Sequence, residues 1–219
     1  MRLAIFDLDH TLLPFDSDKS WNQFLIDAGV VDADQYQRRN DQFYQDYLDE
    51  TLDIRAYQRF ATEVLRTHPL DQVLALRARY LADIIIPGLL PKALACIADY
   101  RRQGYFTLII SATNEFIVEP IAVLHGVDDF LGCRLEFKDG RYTGEMIGIP
   151  TYRDGKVDAL MQWLSERHAK AETIHFYSDS INDLPLLERA DAPFAVDPDQ
   201  KLRAIAEANN WPVIGFVDD

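Results

Sequence analysis

The sequence has little positive charge, few cysteines and no long run of apolar residues. Its 22 lysines and arginines face 36 aspartates and glutamates, which gives a formal net charge of −14. This surplus of negative charge argues against nucleic acid as a partner, because the phosphate backbone binds basic proteins. No apolar run approaches the ~20 residues of a membrane-spanning helix, and no basic amphipathic stretch indicates a membrane surface. We therefore expect neither nucleic acid nor a membrane as a partner.

The two cysteines, Cys96 and Cys133, lie far apart in apolar surroundings. This usage predicts reduced core cysteines in a cytoplasmic protein. Met1 and Arg2 lead directly into the first predicted strand, so no signal peptide is expected. The length of 219 residues and the hydrophobic content of 48% suffice for one packed core with a small insertion.

Apolar segments alternate with amphipathic ones along most of the chain, which predicts an α/β fold with a doubly wound, mostly parallel sheet. Strands are predicted near 3–8, 105–110, 132–136, 172–177 and 192–196, with a short one near 212–216. Helices are predicted near 90–103, 114–125, 155–168, 183–190 and 199–209. Residues 137–144 read as a hairpin with an Asp-Gly turn. Functional residues of such sheets lie at the carboxyl ends of the strands.

Residues 15–86 differ from the rest because they contain no convincing strand. Helices are predicted near 18–28, 32–49, 53–67 and 70–85, before Pro87-Gly88 returns the chain to the core. The predicted domains are a catalytic core of residues 1–14 and 87–219 and a helical cap of residues 15–86. Aromatic residues at helical spacing favour a packing role, namely Tyr36, Phe43, Tyr44 and Tyr47.

The first predicted strand runs into Asp7-Leu8-Asp9-His10-Thr11, with two carboxylates two residues apart. If the extended conformation continues to Asp9, both carboxylates project to the same side. Such a pair is costly to keep ionised without a cation, and Mg²⁺ prefers carboxylate oxygens while leaving positions open for phosphate. The two acids can also divide into a nucleophile and a general acid/base. Exposed acids that cap a turn are the structural alternative.

Three later segments bear on this choice. Ser111-Ala112-Thr113-Asn114 ends an apolar strand and begins a helix, where free N–H groups bind anions. Lys156 stands at the start of another helix, as a surface cation or as the partner of an anion. Asp179–Asp183 crowds acid, hydroxyl and amide groups at the end of a third strand, beyond what one helix cap requires.

Together these segments resemble the four signature motifs of the haloacid dehalogenase superfamily, in its phosphatase branch. Asp7–Thr11 matches the first motif, Ser111 the second, Lys156 the third and Asp179–Asp183 the fourth, in the family's order. The long gap between the first two motifs resembles the branch with a helical cap inserted there, which includes phosphoserine phosphatase. The fourth motif often carries glycines beside its first aspartate, whereas this chain has serines, which fit if φ stays negative.

The resemblance implies a Mg²⁺-dependent phosphomonoester hydrolase that acts through an aspartyl phosphate. It makes Asp7 the nucleophile and Asp9 the general acid/base. The metal ligands that it implies are Asp7, the backbone carbonyl of Asp9, Asp179 and Asp183. The phosphate-binding residues that it implies are Thr11, Ser111, Ala112, Lys156 and Asn182. Asp7 is expected to be ionised at pH 7, as free aspartate is.

The expected substrate is a small phosphorylated metabolite, with phosphoserine or histidinol phosphate as examples, and the expected assembly is a monomer or homodimer. Asp16 and Asp18 either read a substrate amino group or cap the first cap helix. Arg55 and Arg59, four residues apart on one helix, either meet a substrate carboxylate or pair with surface acids. A phosphomutase of the same superfamily and a non-catalytic phosphate-binding or receiver-like protein stay open as alternatives.

Overall fold

Arg2–Phe6 forms β1, the central strand of a seven-stranded sheet that residues 1–217 build in a computed structural model of the chain. The other strands are β2 (Phe106–Asn114), β3 (Asp129–Lys138), β4 (Arg141–Ile147), β5 (Thr173–Ser178), β6 (Ala192–Val196) and β7 (Val213–Ile214). The strand order is β4-β3-β2-β1-β5-β6-β7, and every pair is parallel except β3 with β4. The predicted mostly parallel sheet is confirmed.

The helices are α1 (Ser17–Asp27), α2 (Ala33–Leu48), α3 (Ile54–Ala61), α4 (Glu63–Thr67), α5 (Leu70–Tyr80), α6 (Pro91–Arg102), α7 (Glu115–His125), α8 (Asp154–Glu166), α9 (Leu184–Leu187) and α10 (Gln200–Ala208). Leu3 and Ile5 of β1 face a core layer with α8, α9 and α10, whereas Ala4 and Phe6 face a layer that includes α1, α6 and α7. Because β1 is covered on both faces, its residues read as a continuous apolar run.

The predicted hairpin at 137–144 is confirmed as the connection between β3 and β4. Asp139 and Gly140 at its tip have φ values of 52° and 78°, which a type I′ turn requires and an Asp-Gly pair tolerates. Helices α3 and α4 pack on β4. The hairpin thus packs against part of the helical segment that lies between β1 and α6.

Several boundaries differ from the predictions. The helix predicted at 53–67 is two helices, α3 and α4, separated at Thr62, whose hydroxyl donates to the Gln58 carbonyl at 2.6 Å. In the range predicted as a helix at 70–85, α5 ends at Tyr80 and a π-helical turn, Leu81–Ile85, follows it. The helix predicted at 183–190 is shorter, with a 3₁₀ turn at Ile181–Asp183 before α9. β3 begins and ends beyond its predicted range, because it pairs with both β2 and β4.

Cys96 and Cys133 are both free thiols, as predicted. Within residues 1–217, no single helix has the length and apolar character to cross a membrane; the bent pair Leu70–Gly88 and Pro91–Arg102 meets that test only when its two halves are joined across an 89° angle.

Candidate active site

The predicted motifs meet at the carboxyl ends of three neighbouring strands. Asp7 follows β1, Ser111–Asn114 ends β2, and Asp179 follows β5. Since β1 pairs in parallel with both β2 and β5, these ends lie at one edge of the sheet. The Asp7 N–H donates to the Tyr177 carbonyl at 2.9 Å, which keeps the backbone of Asp7 on the sheet. The topology therefore brings together side chains that are far apart in sequence.

Lys156 holds two of the predicted acids together. Its Nζ donates to Asp7 Oδ1 and to Asp183 Oδ2, each at 2.6 Å. Ser178 adds a hydroxyl bond to the same Asp183 oxygen at 2.7 Å. The three charged side chains are at most 9% exposed. A buried lysine between two carboxylates is therefore the structural centre of the site.

Gly155 lets the first turn of α8 bring Lys156 to this position. A Cβ at Gly155 would lie 1.9 Å from the Pro150 carbonyl oxygen, far inside the contact distance of any side chain. Arg153, just before α8, has φ of 54° and ψ of −126°. The chain thus makes a tight, strained approach before the helix that presents Lys156.

Burial changes the ionisation of this cluster. It raises the pKa of Asp7 to about 8, with Asp183 and Asp9 adding to the rise and Lys156 opposing it. Burial also raises the pKa of Asp179, and Asp7 adds to the effect. For Lys156, burial disfavours the charge, but Asp183 and Asp7 outweigh it and raise the pKa. The pKa of Asp7 is therefore raised above that of free aspartate, first because the carboxyl is buried and then because Asp183 and Asp9 lie near it. Its ionisation at pH 7 stays a prediction.

This imbalance suits a divalent cation. Asp7, Asp179 and the Asp9 carbonyl offer the hard oxygen donors that Mg²⁺ prefers, with Asp183 nearby. Across residues 1–217 no three acidic, histidine or cysteine side chains stand ready-made as a metal site. Lys156 occupies the facing oxygens of Asp7 and Asp183, and Thr11 contacts Asp179. The oxygen donors and the uncompensated negative charge nevertheless fit Mg²⁺.

Asp9 has its own environment, separate from the lysine. β1 ends at Phe6, two residues before the predicted end, and the chain turns at His10 with φ of 56°. As a result Asp9 accepts from the Ser17 N–H at 2.7 Å and from the Thr113 hydroxyl at 2.8 Å. Burial raises its pKa to about 6, and Asp16 adds to the rise. The chain leaves the strand before Asp9, so the condition under which both carboxylates would project to the same side is not met.

Two predicted phosphate ligands lie behind the site surface. The Thr11 hydroxyl donates to Asp179 Oδ1 at 3.2 Å and accepts from the Asp179 N–H at 3.1 Å. Ser111 is fully buried, and its Oγ accepts from the Thr113 N–H at 3.1 Å. Neither side chain is among the residues that line the cavity. In the structure they support Asp179 and the end of β2, and their phosphate contacts stay predictions. Ala112, which follows Ser111 in the second motif, does line the cavity.

The fourth motif accommodates serines in place of glycines. Ser180 has φ of −110° and its hydroxyl accepts from the Asn182 N–H, so no left-handed conformation is needed there. Asn182 lines the cavity, and the Tyr152 hydroxyl donates to its Oδ1 at 3.4 Å. The serine hydroxyls thus order the loop that presents Asn182 and Asp183.

A cavity of about 320 Å³ opens above Asp7 and Asp9. Its lining joins the motif residues to side chains of the helical segment: Asp7, Asp9, His10, Asp16, Asp18, Lys19, Asn40, Phe43, Tyr44, Tyr47, Leu48, Leu52, Ile54, Tyr57, Ala112, Thr113, Tyr152, Lys156, Asp179, Ser180, Asn182, Asp183, Asp197, Pro198 and Asp199. The volume is within the range of small-ligand pockets.

The carboxyl end of α2 covers this cavity. The Tyr47 hydroxyl lies 2.9 Å from Ser180 Oγ, in the fourth motif. Glu50, just after α2, accepts from Arg153 Nη2 at 3.2 Å and also pairs with Lys201. These contacts tie the carboxyl end of α2 to the fourth motif, to the segment before α8 and to the first turn of α10.

Asp16 and Asp18 both reach the cavity. Asp16 caps α1 by accepting from the Lys19 N–H at 2.8 Å, which confirms the capping prediction for this residue. Asp18 is 2% exposed and accepts from Asn114 Nδ2 at 2.9 Å. Burial raises the pKa of both carboxyls, and for Asp18 the neighbouring Asp16 and Asp9 add to it. Capping therefore accounts for Asp16 but not for Asp18.

Arg55 and Arg59 lie away from the cavity, which corrects their predicted approach to a substrate. Arg55 donates to the carbonyls of Met146 and Gly148, each at 3.3 Å. Arg59 pairs with Glu145 at 3.0 Å. Their helix, α3, packs on β4, so this face of α3 meets the hairpin rather than the site. The alternative of pairing with a surface acid is confirmed for Arg59.

Sequence reasoning missed the aromatic wall of the cavity. Tyr36 packs against Phe60, as predicted, but Phe43, Tyr44 and Tyr47 line the cavity together with Tyr57. A signal was present: apart from Ala33 and Leu48 at its ends, the apolar side chains of α2 are all aromatic. Such a stripe on an otherwise polar helix marks the face that packs against other groups.

Comparison with known proteins places the chain in a family. Residues 4–188 match the family model of haloacid dehalogenase-like hydrolases. A histidinol-phosphatase of Neisseria meningitidis serogroup C is 42% identical over 218 residues, with 98% of each chain covered. A crystal structure of a protein of unknown function from Bordetella pertussis Tohama I superposes with a TM-score of 0.93 at 38% identity, covering 99% of each chain.

A more distant structure shares the fold. It is a phosphoserine phosphatase captured as an analogue of its phospho-aspartyl intermediate, with a TM-score of 0.70 and 18% identity, and the match covers 100% of this chain and 94% of the other. The motifs, the doubly wound sheet and these matches agree. The chain belongs to the family of haloacid dehalogenase-like hydrolases.

Proposed function

We propose that the protein is a Mg²⁺-dependent phosphomonoester hydrolase that works through a phosphorylated Asp7. The observation that carries this proposal is the pairing of Asp7 with Lys156 at 2.6 Å among the residues that line the cavity. Asp9 lies beside it on separate hydrogen-bond donors. Phosphoryl transfer requires positioning and charge neutralisation above all, and this arrangement supplies both.

In the first step an Asp7 carboxylate oxygen attacks phosphorus, and the bond from phosphorus to the alcohol oxygen breaks. Asp9 gives its proton to the leaving alcohol. A pKa of about 6 suits this role, because a general acid/base works best near the working pH. The Ser17 N–H and the Thr113 hydroxyl hold Asp9 in position.

In the second step a water molecule attacks the phosphorus of phosphorylated Asp7. Asp9, now ionised, accepts the proton of that water, and the bond between Asp7 and phosphorus breaks to release inorganic phosphate. Lys156, the Ala112 N–H and Asn182 contact the phosphoryl oxygens. The Thr11 hydroxyl positions Asp179, and the Ser111 hydroxyl positions the end of β2 through the Thr113 N–H.

The metal would be held by Asp7, the Asp9 carbonyl and Asp179, with Asp183 beside them. When bound, it supplies the positive charge that offsets the phosphate and the buried acids. The raised pKa values of Asp7 and Asp179 support this assignment, because burial and the neighbouring acids disfavour their ionised forms unless a cation joins them.

The proposed substrate is a small phosphorylated amino alcohol, and histidinol phosphate is a better candidate than phosphoserine. The relative that is 42% identical is named for histidinol phosphate, and Asp16 and Asp18 at the cavity wall offer carboxylates to an amino group. The proposed domains are the core of 1–14 and 87–219 and the cap of 15–86. Cytoplasmic localisation and a monomeric or homodimeric state stay predictions.

Phosphate release from a panel of phosphorylated metabolites with Mg²⁺ tests the proposal. Wild type should release phosphate from an amino-alcohol ester, and Asp7→Asn should release none. Asp27→Asn, at an exposed acid on the far end of α1, is the matched control and should act as wild type does. Transfer of phosphate to a second hydroxyl instead of water would indicate the phosphomutase alternative.

A trapping experiment addresses the intermediate. Asp9→Asn should still accept phosphate from p-nitrophenyl phosphate, because nitrophenol leaves without a proton donor. It should lose phosphate slowly, because no base activates the water. Peptide mass spectrometry should then find the phosphoryl group on Asp7. Its attachment to any other residue would contradict the mechanism.

A further inference from the structure

The cavity has a second acidic region above the reacting groups. Asp16 and Asp18 stand on the α1 side, next to Asp9. The pKa of the Asp9 carboxyl is raised by Asp16, and that of Asp18 by both others, so the three carboxylates repel one another. Lys19 is the lysine that faces them, and it lowers the pKa of Asp16. This end of the cavity therefore has more negative than positive charge.

Asp18 has a carboxylate oxygen without a partner. Its Oδ1 accepts from Asn114, but its Oδ2 is buried and has no hydrogen-bond partner within residues 1–217. A buried acceptor left unpaired costs free energy and is rare in native structures. Tyr57 and Gln58 lie near enough to lower the pKa of Asp18 but do not satisfy this oxygen. A hydrogen-bond donor from a ligand in the cavity would satisfy it.

Phe43, Tyr44 and Tyr57 form an aromatic wall of the same cavity, with Tyr57 beside Asp18. Phe43 and Tyr57 contact edge to face with centroids 5.5 Å apart. Lys19 Nζ lies 3.7 Å from the Tyr44 ring centroid, which shows that this wall accepts a cation over a ring face. Aromatic faces and a carboxylate in one cavity suit a ligand with a flat ring or an ammonium group.

Few cationic side chains of this cavity are free to pair with a carboxylate on the ligand. Lys19 and Lys156 are the lysines lining the cavity, His10 is the other basic group, and within residues 1–217 no arginine lines it. Lys156 is committed to Asp7 and Asp183, and Lys19 to Tyr44 and Asp16. Arg55 and Arg59 are turned to the β4 side. A ligand carboxylate would thus meet a net negative wall.

We propose that Asp18 and the wall of Phe43, Tyr44 and Tyr57 form a leaving-group subsite that selects a cationic alcohol without a carboxylate. Asp18 Oδ2 accepts a hydrogen bond from the ligand's cationic nitrogen, and the rings cover its flat apolar part. The inference rests on the proposed phosphatase function and deepens it. It makes Asp18 a specificity-determining residue and favours esters such as histidinol phosphate over phosphoserine.

Three esters of different charge test this selectivity: L-histidinol phosphate, O-phospho-L-serine and p-nitrophenyl phosphate. Wild type should show a kcat/KM for the first ester at least about 100-fold above that for phosphoserine, given the worth of a hydrogen bond to a charged group and the repulsion of the carboxylate. Equal or better use of phosphoserine would overturn the proposal. This comparison needs no variant, so it stands whether or not any substitution folds.

Asp18→Asn tests the residue itself, with Asp27→Asn on the same helix as the matched control. Asparagine keeps the Oδ1 acceptor for Asn114 while losing the charge. The variant should lower kcat/KM for histidinol phosphate about 10- to 100-fold, mainly through a higher KM. The fold-loss of kcat/KM for p-nitrophenyl phosphate should be smaller by a factor of at least about ten. Equal losses on both esters would mean a merely structural role and would overturn the assignment.

A binding measurement separates this inference from the proposed function. Calorimetry with free L-histidinol should detect binding to Asp7→Asn, and the double variant Asp7→Asn/Asp18→Asn should bind at least tenfold more weakly. If no ester is hydrolysed by wild type but L-histidinol still binds through Asp18, the phosphatase proposal fails and the subsite stands. If esters are hydrolysed but L-histidinol binds both variants equally, the subsite fails and the phosphatase proposal stands.

Discussion

Replacement of Lys156 by methionine should destabilise the protein strongly, because it removes the cation between two buried acids. Lys156 is 2% exposed, and its Nζ is 2.6 Å from both Asp7 Oδ1 and Asp183 Oδ2. Breaking a buried ion pair by removing one partner costs about 3–5 kcal/mol, since it leaves an uncompensated buried charge. Methionine keeps most of the side-chain volume, so the loss reports on charge rather than on a cavity.

The free energy of unfolding should be measured by urea denaturation without metal at pH 8. At that pH, well above the ordinary aspartate pKa, uptake of a proton by either acid itself costs free energy. For a chain of 150–250 residues, a loss of about 3–5 kcal/mol lowers the melting temperature by about 6–20 °C. Turnover should be lost with it, because Lys156 contacts both Asp7 and the phosphoryl oxygens in the proposed mechanism.

Two controls sharpen this test. Lys170→Met, at an exposed lysine, should change stability by no more than about 0.5 kcal/mol. The double variant Lys156→Met/Asp183→Asn should be more stable than Lys156→Met alone by about 0.5–3 kcal/mol, because one of the two unpaired carboxylates is gone. A loss below about 1 kcal/mol for Lys156→Met, with no recovery in the double variant, would refute the idea that this ion pair organises the site.

Three further substitutions probe the surroundings of the site. Tyr47→Phe removes the hydroxyl 2.9 Å from Ser180 Oγ and should raise KM by about 2- to 10-fold, the worth of one hydrogen bond, in steady-state kinetics; an unchanged KM would argue against this closing contact. Gly155→Ala places a Cβ 1.9 Å from the Pro150 carbonyl oxygen and should cost about 1–3 kcal/mol or more in urea denaturation; wild-type stability would contradict the tight turn before α8. Asp18→Asn should raise the melting temperature more at pH 8 than at pH 5: burial raises the pKa of Asp18, so the folded state loses stability as the pH rises through that pKa, and asparagine escapes this loss. A gain that is the same at both pH values would contradict the raised pKa.

The sequence predicted the sheet and the motif positions well, for a local reason. Leu3–Phe6 is a continuous apolar run, and β1 is indeed buried on both faces. Asp139-Gly140 specifies its turn by backbone preference alone, and the hairpin forms there. Such features depend on neighbouring residues in the chain, so they can be read without knowing what packs against them.

Side-chain direction could not be read in the same way. Thr11 and Ser111 belong to motifs that resemble phosphate-binding ones, yet both lie behind the cavity surface, because contacts with Asp179 and Thr113 hold them there. Arg55 and Arg59 share a helix face, but that face meets β4. Where a helix turns its faces is decided by packing with distant residues.

The sequence by itself determined the order of strands and helices, the acids at the strand ends and the family to which the chain belongs, because periodicity and motif spacing are properties of the linear chain. Tertiary structure alone decided which charges meet. It buried Lys156 between Asp7 and Asp183, left one Asp18 oxygen without a partner, and turned the aromatic residues of α2 into a cavity wall. These contacts join residues from separate elements of the chain, 149 positions apart for Asp7 and Lys156. Burial, which raises the pKa values of the acids, exists only in the folded chain.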